Sequence, residues 1–167
     1  MTCMGAFDDL LNANADYANA FVDDGLPGQA ARGLAIVTCM DSRIEPLTML
    51  NLKRGDAKIL RNAGGRVTGD VLRTLVLATH LLGVNRILVV EHTECKMASH
   101  TADEVHQSIF EASGIDSRSL EFQLMDDQLQ SLAQDVQRVR SSPYLPGGVE
   151  VGGFLYDVRT GLLKEVC

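Results

Sequence analysis

Leu34-Ala35-Ile36-Val37-Thr38-Cys39-Met40-Asp41-Ser42-Arg43 is the stretch that decides the fold of this chain. Its first four residues form an apolar run that reads as a buried strand. Just past that strand a thiol, a carboxylate and a guanidinium follow on alternate residues, Cys39, Asp41 and Arg43. In open α/β sheets that edge is where ligands bind. A second stretch has the same plan. Arg86-Ile87-Leu88-Val89-Val90 reads as a buried strand, and it closes in Glu91-His92-Thr93-Glu94-Cys95. If the two strands are parallel neighbours, Cys39, His92 and Cys95 meet at one edge of the sheet. Two thiolates and an imidazole suit zinc, which takes nitrogen and sulfur ligands tetrahedrally, and three protein ligands leave the fourth position open. Cys39 by itself also reads as a small buried hydrophobe, and His-x-x-Cys alone is a weak signal. Together, each directly after a strand and one beside Asp-x-Arg, they point to a metal site.

Working outward, strands and helices alternate. Residues 6–22 read as an amphipathic helix with Phe7, Leu10, Leu11, Ala18, Phe21 and Val22 near one face, ended by Asp23-Asp24-Gly25-Leu26-Pro27-Gly28. Pro46 can start a helix running to about Leu52, and 57–61 reads as a short strand followed by Asn62-Ala63-Gly64-Gly65. That glycine-rich loop is neither a Gly-x-Gly-x-x-Gly fingerprint nor a Walker loop. Thr68 or Asp70 can cap an apolar helix through Leu82, with Leu72, Leu75, Val76 and Thr79 marking its buried face, and Gly83 ends it. Residues 97–112 read as a helix, 116–120 as loop, and 126–140 as a polar amphipathic helix with Leu129, Leu132, Val136 and Val139 toward the core. Residues 149–158 and 162–166 read as a hairpin through Arg159-Thr160-Gly161. The prediction is an α/β fold: a mostly parallel central sheet, helices on its faces, and a C-terminal antiparallel edge hairpin.

Composition fits a single domain spanning 1–167, with 1–28 as an N-terminal helical arm. The chain has 167 residues, 46% of them hydrophobic, which excludes a disordered polymer. A formal net charge of −7 and a pI near 5.0 argue against nucleic-acid binding. No apolar run approaches the roughly 20 residues of a membrane span, and Asp8 and Asp9 near the start are unlike a secretory n-region. A cytoplasmic location is therefore expected, with Cys3 and Cys167 as free thiols. His80, His100 and His106 read as packed or solvated residues; His100 or His106 could relay protons, though nothing in the sequence selects either.

Cys39-Met40-Asp41-Ser42-Arg43 and His92-Thr93-Glu94-Cys95 resemble the β-class carbonic anhydrases, whose pattern is Cys-x-Asp-x-Arg followed by His-x-x-Cys. The likeness extends to Arg54-Gly55-Asp56-Ala57-Lys58, Arg61-Asn62-Ala63-Gly64, residues 71–83 and Gly153-Phe154-Leu155-Tyr156-Asp157-Val158-Arg159-Thr160-Gly161. It covers nearly the whole chain and points to the short, archaeal-type branch. The resemblance implies zinc held by Cys39, His92 and Cys95, and reversible hydration of carbon dioxide to bicarbonate by zinc-bound hydroxide. It also implies a homodimer or higher homo-oligomer, with the N-terminal arm reaching across to a second subunit. Two thiolates neutralise the metal's charge, so a hydrogen-bond acceptor beside the water becomes useful; Asp41 can accept that proton, and Arg43 can hold Asp41 with a bidentate pair. A structural ion pair is the plainer reading of Asp41 and Arg43. The expected substrate pocket is Met40, Asn62, Ala63, Gly64, Lys96 and Met97. The family usually carries glycine after the second zinc cysteine, where backbone can approach substrate closely; here that residue is Lys96. Two alternatives stay open: a carbonyl sulfide or carbon disulfide hydrolase on the same scaffold, and a non-catalytic structural or regulatory zinc module closed by Asp41 as fourth ligand.

Overall fold

The computed structural model describes residues 5–167. Five strands form one sheet in the order β2-β1-β3-β4-β5: β1 Leu34–Cys39, β2 Ala57–Asn62, β3 Arg86–His92, β4 Glu150–Tyr156 and β5 Leu163–Glu165. The first four run parallel, and β5 returns antiparallel on β4, pairing Tyr156 with Leu163 and Phe154 with Glu165. The fold is the one predicted. β1 is buried at every residue because it lies between β2 and β3. Alternation along β1 then splits the core. Ala35 and Val37 pack with Val89, Leu75, Leu132 and Val136 on one face of the sheet. Leu34, Ile36 and Val90 pack on the other with Leu50, Phe154 and Leu163.

Four helices flank the sheet: α1 Asp8–Ala20, α2 Gly69–Leu81, α3 Ala102–Ser113 and α4 Gln128–Arg140. Thr68 caps α2, its hydroxyl accepting Val71 N–H at 3.3 Å. The residues α2 buries are Val71, Leu75 and Ala78, so its inner face is turned slightly from the Leu72-Leu75-Val76-Thr79 stripe. On α4, Leu132, Val136 and Val139 are buried as expected, whereas Leu129 is half exposed and Asp135 takes a buried place.

Two expected helices are shorter. After Pro46 the chain makes only a 3₁₀ turn, Thr48–Leu50, because Asn51 enters the left-handed region at φ 51° and sends the backbone toward β2. The helix expected from Met97 begins instead at Ala102. A 3₁₀ turn, Lys96–Ala98, comes first, and Thr101 then starts α3 with a capping box in which its side chain accepts Glu104 N–H and Glu104 accepts Thr101 N–H. Helix α1 lies where it was expected but buries no residue; Phe7, Leu10, Leu11 and Val22 stay exposed. Its C-terminal end is tied to the body through Phe21, which lies under Arg54 at 5.4 Å, and through the Arg54–Asp24 ion pair at 2.6 Å. Of the two terminal thiols, Cys167 is free and partly buried, while Cys3 lies outside the described residues.

Candidate metal centre

The parallel pairing of β1 with β3 aligns Thr38 with Val90, so Cys39 and His92 leave the sheet at the same C-terminal edge. His92 is the last residue of β3, paired with Tyr156 on β4. The chain then has to turn sharply to bring Cys95 back. Glu94 makes that turn in the left-handed region at φ 59°, and Thr93 anchors it, its N–H donating to Tyr156 O at 2.9 Å and its hydroxyl accepting Val158 N–H at 3.2 Å. Cys39, His92 and Cys95 are all buried, and one ligand atom from each lies within 4.8 Å of the others. Tetrahedral zinc asks for ligand separations of about 3.4–3.8 Å, a small inward adjustment.

The donor set fits a metal for a second reason. His92 Nδ1 donates to Thr93 O at 2.8 Å, which fixes the tautomer and leaves the lone pair on Nε2. That Nε2 is buried without a hydrogen-bond partner and faces the two sulfurs. A buried polar atom left unpaired is costly, and a metal ion is the partner that resolves it. Of the two thiols, Cys39 is the one poised to ionise. The contact with Cys95, aided by His92, holds the Cys39 thiol well below the usual thiol range against the pull of burial. The same contact and burial push Cys95 upward. Burial opposes protonation of His92, but the Cys39 sulfur outweighs it and the net shift is upward. Cys39, His92 and Cys95 would hold a divalent ion, which would displace the thiol protons and take both sulfurs as thiolates.

Beside this set Asp41 and Arg43 form a closed fork. Arg43 Nε donates to Asp41 Oδ1 at 3.0 Å and Nη2 to Oδ2 at 2.8 Å, and Arg43 N–H also donates to Oδ1 at 2.9 Å. These contacts hold the Asp41 carboxyl far below its ordinary range. Asp41 Oδ2 lies 3.9 Å from His92 Nε2, so the carboxylate is at the site's edge while its oxygens are held by the guanidinium. Glu94 orients Arg43 in turn, accepting from Nη1 at 3.1 Å, and Arg159 completes the chain of charges on the other Glu94 oxygen. Arg61 stitches the loop from below, donating to Cys39 O at 3.0 Å and Asp41 O at 2.6 Å.

A cavity of about 470 Å³ opens over the centre, lined by Cys39, Met40, Asp41, Arg43, Ala63, Gly64, His92, Cys95, Lys96 and Met97. Of the predicted pocket residues, Met40, Ala63, Gly64, Lys96 and Met97 are brought together here. Asn62 is not: its amide donates to Arg66 O at 2.8 Å and accepts Arg66 N–H at 2.9 Å, so it shapes the turn behind the wall. Lys96 is exposed at the mouth, and Met40 is two-thirds exposed at 66%. Sequence reasoning missed Glu94, Arg61 and Arg159 as supports of the fork. Arg61 and Arg159 lie inside stretches that carry the family likeness, but only the folded chain shows which atoms they reach.

A family model described as carbonic anhydrase matches residues 34–163. The chain is 36% identical over 163 residues to "Beta-carbonic anhydrase 1" of Mycobacterium tuberculosis, covering 98% of this chain and 99% of that one. It is 31% identical over 174 residues to a "Carbon disulfide hydrolase" of an Acidianus species, covering 90% of this chain and 83% of that protein. Among solved structures, the carbonic anhydrase of Streptococcus mutans superposes with a TM-score of 0.89 at 37% identity, over 99% of this chain and 100% of that chain. Sheet order, the cysteine–histidine–cysteine cluster and these likenesses agree: the chain belongs to the β-carbonic anhydrase family.

Proposed function

We propose that this chain is a zinc-dependent carbonic anhydrase that interconverts carbon dioxide and bicarbonate, with Cys39, His92 and Cys95 holding the metal. The observation that carries this is the buried three-donor cluster with its unpaired His92 Nε2, flanked by an Asp41 carboxylate already engaged by Arg43. Zinc bound there supplies Lewis acidity, which makes water a nucleophile near neutral pH. Asp41, kept ionised by Arg43, accepts a hydrogen bond from the attacking water and aims its lone pair at the substrate carbon. The Arg43 fork keeps the Asp41 oxygens from taking the open coordination position, since a bidentate guanidinium competes for the same lone pairs. Gly64, Ala63 and Met97 offer the uncharged substrate an apolar wall, and the cavity mouth lets the released proton pass to solvent buffer. The closed structural-module reading is weakened by that fork, because Asp41 Oδ2, the oxygen that faces His92, would have to give up its hydrogen bond from Arg43 Nη2.

A second reading, hydrolysis of carbon disulfide or carbonyl sulfide, rests on the Acidianus relative and on Lys96 at the mouth. Both substrates are linear like carbon dioxide. Turnover of all three gases by zinc-loaded protein separates the readings: carbon dioxide should be hydrated fastest, and selective turnover of the sulfur compounds would transfer the chain to the second. The exposed apolar face of α1 supports a homodimer in which residues 1–28 form the clasping arm. No helix among the described residues is long and apolar enough to cross a membrane, and a cytoplasmic site of action is part of this proposal.

A further inference from the structure

The turn that walls the cavity, Ala63–Gly65, is followed by Arg66, whose side chain runs away from the cavity into the protein. There Arg66 Nε donates to Asp135 Oδ2 at 2.7 Å and Nη2 reaches Oδ1 at 3.4 Å. The pair is desolvated, with side-chain exposures of 13% and 5%. Asp135 Oδ2 also accepts Val67 N–H at 3.0 Å, so the carboxylate grips the backbone beyond Arg66 as well. The third arm of the guanidinium does something different. Nη1 donates to Gln123 O at 2.7 Å, in a segment where Gln123 itself is left-handed at φ 53°. Two residues on, Met125 N–H donates to Met97 O at 2.8 Å, which holds the turn after Cys95.

The two walls are therefore joined through one guanidinium. One wall is backbone: a Cβ on Gly65 would come within 2.9 Å of Val90 O and 3.0 Å of Cys39 N, so this turn lies directly on the strands that carry the ligands. The other wall is Met97, with Met125 behind it, and both reach within 3.3 Å of where a Gly64 Cβ would stand. We propose that the buried Arg66–Asp135 pair is a positioning element of the reaction: it sets the width of the substrate cavity by tying the Gly64–Gly65 wall and the Met97 wall to helix α4. An ion pair with no such task would be an odd choice for this place, because desolvating two charges offsets most of their attraction and an apolar pair serves stability as well. A planar fork that bonds a carboxylate with one edge and a carbonyl with another is what arginine alone supplies. Arg66 touches neither the metal ligands nor the cavity, so it acts through the walls.

This inference rests on the carbon dioxide reading, and the test keeps the two apart. Wild-type protein loaded with zinc is assayed first; if it hydrates no carbon dioxide, that reading fails before any variant is compared. The double variant Arg66→Met with Asp135→Leu keeps the volume and removes both charges, so it is the version expected to fold. It should retain full zinc and a kcat within about two-fold of wild type, while KM for carbon dioxide rises about 3- to 10-fold, since substrate binding rather than the ligand set is disturbed. Wild-type KM in the folded, zinc-loaded double variant would overturn the proposal, and so would a fall in kcat with KM unchanged. Should the double variant not fold, Arg66→Lys serves. An ammonium can meet Asp135 but cannot also hold Gln123 O, so KM should rise in the same direction, and wild-type KM in Arg66→Lys would equally overturn the idea.

Discussion

Arg43 is the residue on which the chemistry is expected to turn. Its fork engages both oxygens of Asp41, and Asp41 sits 3.9 Å from the His92 nitrogen that faces the metal position. Arg43→Ala frees those oxygens to close the coordination sphere. Zinc should stay, and turnover should fall by about 10- to 100-fold, as for other groups that orient a metal's surroundings. Arg43→Lys should recover little of it. Wild-type turnover in zinc-replete Arg43→Ala would reduce the pair to a structural bridge. Glu91 makes a different prediction. It is fully buried, neither oxygen has a hydrogen-bond partner, and burial lifts its carboxyl from an ordinary 4.5 to about 8, against the opposing charge of Arg66. Between those values the folded chain holds a proton that the unfolded chain has released. Stability therefore falls as pH rises through this window. Glu91→Gln removes the ionisation, so denaturant unfolding should find it more stable than wild type by roughly 1–3 kcal/mol at pH 8.5 and nearly equal at pH 5. Parallel pH profiles for the two proteins would contradict the assignment. None of the Glu91 argument was readable in the sequence, where Glu91 looked like one more member of a strand-end loop.

At the scale of elements, legibility follows how local the cause is. β1 and β3 were readable because strands covered on both faces must be apolar throughout, and Leu34–Val37 and Ile87–Val90 are. The meeting of Cys39 and His92 followed from parallel pairing, and the return of Cys95 needed the left-handed turn at Glu94 as well. The hairpin of β4 and β5 was readable from its Arg159-Thr160-Gly161 turn, Gly161 lying at φ 73°. What failed depended on backbone conformations or partners that composition does not reveal. Asn51 and Glu94 take left-handed geometry without being glycine. Asp135 is buried on α4 because Arg66, far away in sequence, comes to meet it. Helix α1 is the element whose pattern was right but whose context was open: its apolar side chains face no core of this chain. The proposed homodimer would cover that face. Deleting residues 1–24 should lower the association constant measured by sedimentation at least about ten-fold, a change of about 1.4 kcal/mol. Unchanged association after the deletion would place the interface elsewhere.

The whole molecule is one sheet whose C-terminal edge gathers three metal-type donors, with α2 and α4 packed together on one face and the Thr48–Leu50 turn on the other. The supports around the cluster fix a ligand, as Thr93 does for His92, orient the fork, as Glu94 does for Arg43, or brace the chain behind a wall, as Asn62 and Arg66 do. That division predicts which changes empty the site and which merely slow it. Replacing Cys39, His92 or Cys95 should release the metal; replacing Arg43, Asp41 or Arg66 should not. The measurement that tests the central claim most directly pairs metal content with stopped-flow carbon dioxide hydration, for the intact chain and for Cys39→Ser. The intact chain should carry about one zinc and hydrate carbon dioxide, while Cys39→Ser should lose most of the zinc and at least about 100-fold of the rate. Hydration by a Cys39→Ser protein at the intact chain's rate, or an inert but fully zinc-loaded intact chain, would contradict the account.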